Sequence, residues 1–330
     1  MSLSRKGAKL FCSLAVLTAV LVAGIAAFVP GAAYAQAGVI EVRLARLAPS
    51  SLLWLHAIAT EQGIYERYGL RIVDMQVQSS AALVQAVASG SADAGIALGD
   101  NVVQAVDQGA SVVITGAILQ KPVLRFIGTV NTIPELRGKR LTAGAVDGGT
   151  TDLMRYMLIR AGVDPRQTLV IALTNSSDRV VALQNGHLDA ALLIPPFDEV
   201  ALRNGAKLLD VYNDYWLQTP LIVNTDWAQR NPEGARRITQ ALAEAARWIY
   251  DPANKDAAID ILARYTDVSR DIAAAGYAFM IEEIQAISPD LSVPAESIEA
   301  IFRIRQAVHG APMPQFDLYK YYDPSYLQGN

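Results

Sequence analysis

Two stretches of this chain echo each other, and the echo limits the folds open to it. SSAALVQAVASGSADAGIAL (79–98) and NSSDRVVALQNGHLDAALLI (175–194) align at an offset of 96, pairing Ser80 with Ser176, Ala86 with Ala182, Gly90 with Gly186, Asp93 with Asp189 and Ala94 with Ala190. In each, a serine can start a helix, a glycine can end it in a left-handed cap, and an aliphatic run follows as a strand. Any helix–strand unit yields part of such a match. The flanking order makes it more specific.

Around the first copy, strand patterns at 39–47, 70–76, 94–98 and 112–118 alternate with helical patterns at 52–62, 81–88 and 102–108. Around the second copy, strands at 140–145, 168–173, 190–194 and 208–212 alternate with helices at 151–161 and 179–183. Asn131-Thr132-Ile133-Pro134 reads as a turn between the blocks. After Thr219 one more strand fits at 220–224, and then helical spacing dominates at 232–250, 255–265, 271–286 and 295–309. This predicts an α/β protein of two similar lobes, each a mostly parallel sheet flanked by helices. The first lobe takes 36–128 and returns at 219–330, the second takes 129–218, and the hinge is crossed twice.

The first 35 residues read as an export signal. Arg5, Lys6 and Lys9 precede an apolar run at 10–28, and Ala33-Tyr34-Ala35 follows Pro30-Gly31 as a cleavage site; a retained anchor is the alternative. Cleavage after Ala35 predicts a soluble protein of the periplasm. The only cysteine, Cys12, lies in that leader, so the mature chain carries no disulfide, thiol nucleophile or cysteine metal site. The leader holds three of the 28 Lys+Arg and none of the 32 Asp+Glu, which leaves 25 basic against 32 acidic side chains and a net charge of −7. Such a balance argues against nucleic acid as a partner.

In order and spacing, five segments resemble the type II periplasmic solute-binding proteins of ABC importers, in the branch handling nitrate, sulfonates, taurine and the thiamine pyrimidine precursor. They are ATEQGIYERYGLRIV (59–73), VASGSADAGIA (87–97), PELRGKRLTAGAVDGGTTDLMRYMLIRAGVDP (134–165), NGHLDAALLIPPF (185–197) and YYDPSYL (321–327). The resemblance covers nearly all of the mature chain. It implies a two-lobed binding protein, expected as a monomer, that hands a small solute to an inner-membrane permease with its cytoplasmic ATPase. A sensor subunit feeding a membrane receptor would differ only in partner. Where the family commonly shows Glu-Pro, this chain has Pro195-Pro196, so a carboxylate acceptor for a cationic ligand is missing and no relative's substrate can be copied.

In open α/β sheets, ligands sit outside the carboxyl ends of the strands. That rule selects Ser50, Ser51 and Trp54 after the first strand, Gly99, Asp100 and Asn101 after the third, Gly148, Gly149, Thr150 and Thr151 in VDGGTTDLM (146–154), Thr174 and Asn175, and Pro196 and Phe197. Each has an ordinary alternative. Ser50, Ser51, Asp100, Thr150 and Thr151 are also good helix caps, Trp54 also fits a core, and Phe197 could seal its lobe. Gln120 and Arg125 lie near the expected crossing. The glycine stretch lacks both G-x-G-x-x-G and a P-loop lysine, so it is no nucleotide motif. His187 lies in a turn remote from the strand carboxyl ends, and His56 and His309 have no metal-ligand spacing. There is no G-x-S-x-G elbow. These absences predict no catalytic residue, metal or cofactor. The expected ligand is an organic acid, sulfonate or other oxyanion; a neutral pyrimidine, or an envelope enzyme on the same fold, are the alternatives.

Overall fold

The computed structural model describes residues 38–328, so the leader, its cleavage site and Cys12 lie outside the described residues. Two five-stranded sheets organise the chain. The first contains β1 (Ile40–Arg46), β2 (Leu70–Gln76), β3 (Ala94–Ile96), β4 (Val112–Leu119) and β10 (Thr219–Asn224), in the order β2-β1-β3-β10-β4. The second contains β5 (Arg125–Gly128), β6 (Arg140–Thr142), β7 (Leu169–Val170), β8 (Ala190–Leu193) and β9 (Lys207–Val211), in the order β7-β6-β8-β5-β9. In each sheet the first three strands are parallel and the fourth runs against both its neighbours.

That fourth strand is the one supplied from the other lobe. The chain leaves β4 at one sheet's edge to become β5 inside the second sheet, and leaves β9 at the second sheet's edge to become β10 inside the first. The first crossing therefore falls at 120–124, ahead of β5, and not at 128 as the sequence pattern suggested. Arg125–Gly128 pairs with Leu193–Ala190 of β8 and so belongs to the second lobe's sheet. The two crossings lie side by side. Trp216 N donates to Gln120 O at 3.1 Å, Gln218 N to Leu119 O at 3.0 Å, and Val123 N to Gln218 Oε1 at 2.6 Å.

The echo is structural. Helices α3 (Ser80–Ala88) and α6 (Ser176–Gln184) occupy equivalent places, and Gly90 and Gly186 both follow them at positive φ, +74° and +68°. Each lobe also carries the same clamp after that glycine. Asp93 Oδ2 accepts from Arg43 N and Nε at 2.9 and 3.0 Å while Arg43 Nη2 donates to Gly90 O. Asp189 Oδ2 accepts from Arg140 N and Nε at 2.8 and 3.1 Å while Arg140 Nη2 donates to Gly186 O. The aspartate thus ties the strand it precedes to the neighbouring first strand of each lobe.

Helices cover both sheets. In the first lobe α1 (Trp54–Glu61), α2 (Ile64–Arg67) and α4 (Gly99–Asp107) join α3, followed at the end by α8 (Thr225–Arg230), α9 (Pro232–Tyr250), α10 (Lys255–Thr266), α11 (Arg270–Tyr277) and α12 (Ala295–His309). In the second, α5 (Gly149–Arg160) and α7 (Phe197–Arg203) join α6. Helix α9 begins with Pro232 at a tolerated first position and buries Ala235, Ile238, Ala241, Leu242, Ala245, Ala246 and Ile249, a one-sided stripe. The helical return does not stay with the first lobe. Helix α12 packs against α5, placing His309 Nε2 2.9 Å from Asp152 Oδ1, and Arg203 of α7 pairs with Asp271 of α11. One apolar core runs through the first lobe into the second, and a smaller one (Ile127, Val180, Leu183, Leu188, Ala191, Leu193, Ala201) lies under α6 and α7. Among the described residues no helix is long and apolar enough to cross a membrane.

Candidate functional site

Both lobes bound a cavity of about 240 Å³. It exceeds the roughly 150 Å³ that accommodates a benzene ring and falls just below the roughly 300 Å³ at which drug-sized sites begin. Its wall is built from segments that follow the parallel strands: Leu47 to Ser50 after β1, Gln78 to Ala81 after β2, Leu98, Asp100 and Asn101 after β3, Ala143 to Ala145 and Gly148 to Thr150 after β6, Thr174 to Ser177 after β7, and Ile194 and Phe197 after β8. Leu52, Leu124, Arg179 and Gln218 complete it.

Helix N-termini converge on this space because each strand turns there into its helix. Ser50 precedes the turn into α1, Ser79 caps α3, Leu98 precedes α4, Gly148 precedes α5 and Asn175 precedes α6, and all five residues line the cavity. Only Ser79 accepts a bond from its own helix, from Ala82 N at 3.2 Å. Ser50, Leu98, Gly148 and Asn175 make no side-chain cap themselves, so the positive ends of α1, α4 and α6 turn toward the cavity uncapped, while α5 is capped from the other lobe.

Two buried ionisable groups share the wall. Arg179 of α6 donates from Nε, Nη1 and Nη2 to the carbonyls of Leu173, Leu192 and Thr174, each at 2.8 Å. Burial lowers its pKa to about 10, which keeps it cationic at neutral pH, and no carboxylate bonds to it in the structure. Asp100 of α4 reaches across to the other lobe, where its Oδ2 accepts from Gly149 N at 2.6 Å. Arg305 of α12 holds its backbone, donating from Nη2 to Asp100 O at 2.9 Å. Burial pushes the Asp100 carboxyl up, and its Oδ1 has no hydrogen-bond partner.

Of the residues expected at the site, Ser50, Asp100, Asn101, Gly148, Gly149, Thr150, Thr174, Asn175 and Phe197 line the cavity. Five do not. Trp54 is 1% exposed, its Nε1 donating to Ala258 O and its ring edge-on to Tyr277, so it packs α1 against the helical return. Ser51 is buried behind the wall, and Gly99 spends its amide on Gln218 O. Thr151 is fully buried with its hydroxyl on Ala145 O, and Pro196 lies outside the lining before α7. The threonines do not cap α5. Thr150 Oγ1 donates back to Ala143 O at 2.8 Å, which fixes the loop after β6. Asp100 does cap a helix, though not the one expected: its carboxylate serves α5 of the opposite lobe.

Sequence reasoning missed Gln78 to Ala81, Gly144, Arg179 and Gln218. The rule of strand carboxyl ends, applied to β2, would have found the first group. Arg179 reads as a surface charge on a helix, and Gln218 owes its place to the second crossing. Arg125 faces the second lobe's α7: its Nη1 lies 3.2 Å from Asp198 Oδ2 without hydrogen-bond alignment, and its guanidinium sits 3.8 Å over the Phe279 ring. Burial pushes Asp198 up to about 6, with Arg125 opposing. His187 is exposed, His56 is buried against Tyr65 and Asp74, and no group of metal ligands exists among the described residues.

A family model described as NMT1/THI5 like matches residues 56–255, more than half of the chain. The chain belongs to that family. Over 133 residues it is 31% identical to the nitrate/nitrite binding protein NrtA of Synechococcus elongatus, a match covering 38% of this chain and 30% of that protein's length. Its fold is similar to the periplasmic nitrate-binding protein NrtA of Synechocystis PCC 6803, with a TM-score of 0.72 at 15% identity over 84% of this chain and 83% of the other. It is also similar to the alkanesulfonate-binding protein SsuA of Xanthomonas axonopodis pv. citri bound to MOPS, with a TM-score of 0.65 at 18% identity over 84% of this chain and 96% of the other. The two-lobed architecture of this chain is therefore the periplasmic binding protein fold.

Proposed function

We propose that this chain is the solute-binding subunit of an ABC importer, exported to the periplasm by the leader at 1–35, and that its solute is a small organic anion. The observation that carries the ligand class is the convergence of helix N-termini from both lobes on one cavity, three of them (α1, α4 and α6) without side-chain caps, beside a buried guanidinium bonded only to carbonyls. Partial positive charge from several helices and the full charge of Arg179 favour an oxyanion such as a sulfonate or carboxylate. Leu47, Leu52, Leu98, Leu124, Ile194 and Phe197 suit an apolar body attached to that group. The names of the nitrate- and sulfonate-binding relatives point the same way.

In this reading the work done is closure. A solute touching both lobes binds the closed form better than the open one, and that difference shifts the population toward a shape the permease recognises. No covalent step is required. Calorimetric titration with sulfonates, carboxylates, nitrate and a neutral pyrimidine tests the ligand class. Heat with members of the anionic set supports it; heat with the pyrimidine alone replaces it with carriage of a neutral heterocycle. Turnover of any bound compound would make the chain an envelope enzyme.

A further inference from the structure

We propose that Asp100 is an inter-lobe latch, a carboxylate from the first lobe that caps the N-terminus of α5 in the second and stabilises the closed cleft independently of solute. Helix α5 has no cap of its own: Gly148 has no side chain, and Thr150 and Thr151 donate their hydroxyls to Ala143 O and Ala145 O. The cap arrives across the cleft, as Asp100 Oδ2 on Gly149 N at 2.6 Å. Position 149 is shaped for that approach, since a Cβ there would overlap the Asp100 carboxylate carbon. Arg305 of α12 holds the Asp100 backbone from behind, so the latch is fixed on its own side. The remaining oxygen, Oδ1, is buried in the cavity wall without a partner, a cost that opening removes by admitting water. The Oδ2 bond thus favours closure, while the unpaired Oδ1 limits its strength and keeps the latch releasable.

The inference rests on the cleft being the solute site proposed above and concerns its regulation. Its test uses no solute, so the two readings fail separately. Cysteines for spin labels replace the exposed Val73 of β2 and Val181 of α6, one per lobe, with Cys12→Ser removing the native thiol. In protein stripped of bound solute, electron–electron distance measurement should show a closed population. Asp100→Ala should lower the closed-to-open ratio by roughly tenfold, the weight of one bond to a charged group. Asp100→Asn, which keeps an acceptor without the charge, should fall between. Gly149→Ala should also open the cleft, yet add nothing in an Asp100→Gly background, where both the carboxylate and the Cβ it would strike are gone. An unchanged distribution in Asp100→Ala, or equal opening by Gly149→Ala with and without Asp100, would overturn the latch.

Discussion

Gly149 carries the most specific demand in the site, because its backbone faces a carboxylate from the other lobe with no room for a side chain. Gly149→Leu should leave each lobe folded and keep them from meeting. We predict a melting temperature within about 4 °C of wild type and solute affinity reduced about 100-fold or more, read by calorimetry on whichever anion binds. Equal loss of both would return the stretch to an ordinary turn. Trp54 makes the opposite prediction. Buried against the helical return, Trp54→Ala should cost about 3–5 kcal/mol of stability by denaturant titration. Asp198 adds a pH signature. Its carboxyl titrates at about 6 folded against an ordinary value of 3.8, so the folded state holds its proton more tightly than the unfolded state. The cost of ionising it is absent below about pH 4 and complete above about pH 6, reaching about 3 kcal/mol. Relative to Asp198→Asn, wild type should therefore lose denaturation free energy as pH rises from 4 to 7. A pH-independent difference would refute that assignment. Residue roles were the hardest part to read from sequence: nothing in SLLWLH (51–56) tells whether the indole faces cavity or core, and Arg179 becomes a cavity wall only once three carbonyls turn it inward.

The helix–glycine–aspartate–strand unit appears twice and performs one job in both lobes. The Asp93–Arg43 and Asp189–Arg140 clamps have matching donors and matching glycine carbonyls. Asp93→Ala and Asp189→Ala should each destabilise by about 1–3 kcal/mol, and the double variant by their sum within about 0.5 kcal/mol, since the clamps share no partner. A double-variant loss well outside that sum would show that the clamps are coupled. Most elements were legible because their periodicity is strong; the equivalence of α3 with α6 follows the offset of 96 read from sequence. Two were not. Strand β5 has four residues, too few to show alternation, and its partners β8 and β9 lie more than sixty residues onward. Helix α7 follows Pro195-Pro196 directly and has only seven residues, too few to show helical periodicity.

At the scale of the molecule, the exchanged strands and paired crossings join two lobes at one place, with the cavity at the strand ends on either side. That architecture was legible from the doubled alternation and the helical tail. The reach of α12 onto α5 was not, because it depends on where the return helices dock. Under the proposed function this cleft holds a small organic anion. Native mass spectrometry of the protein isolated without refolding tests it most directly, since a closed cleft retains its solute. We predict one released molecule per chain, small enough for a cavity of about 240 Å³ and carrying a sulfonate, carboxylate or other oxyanion. Release of a neutral heterocycle instead would contradict the claim.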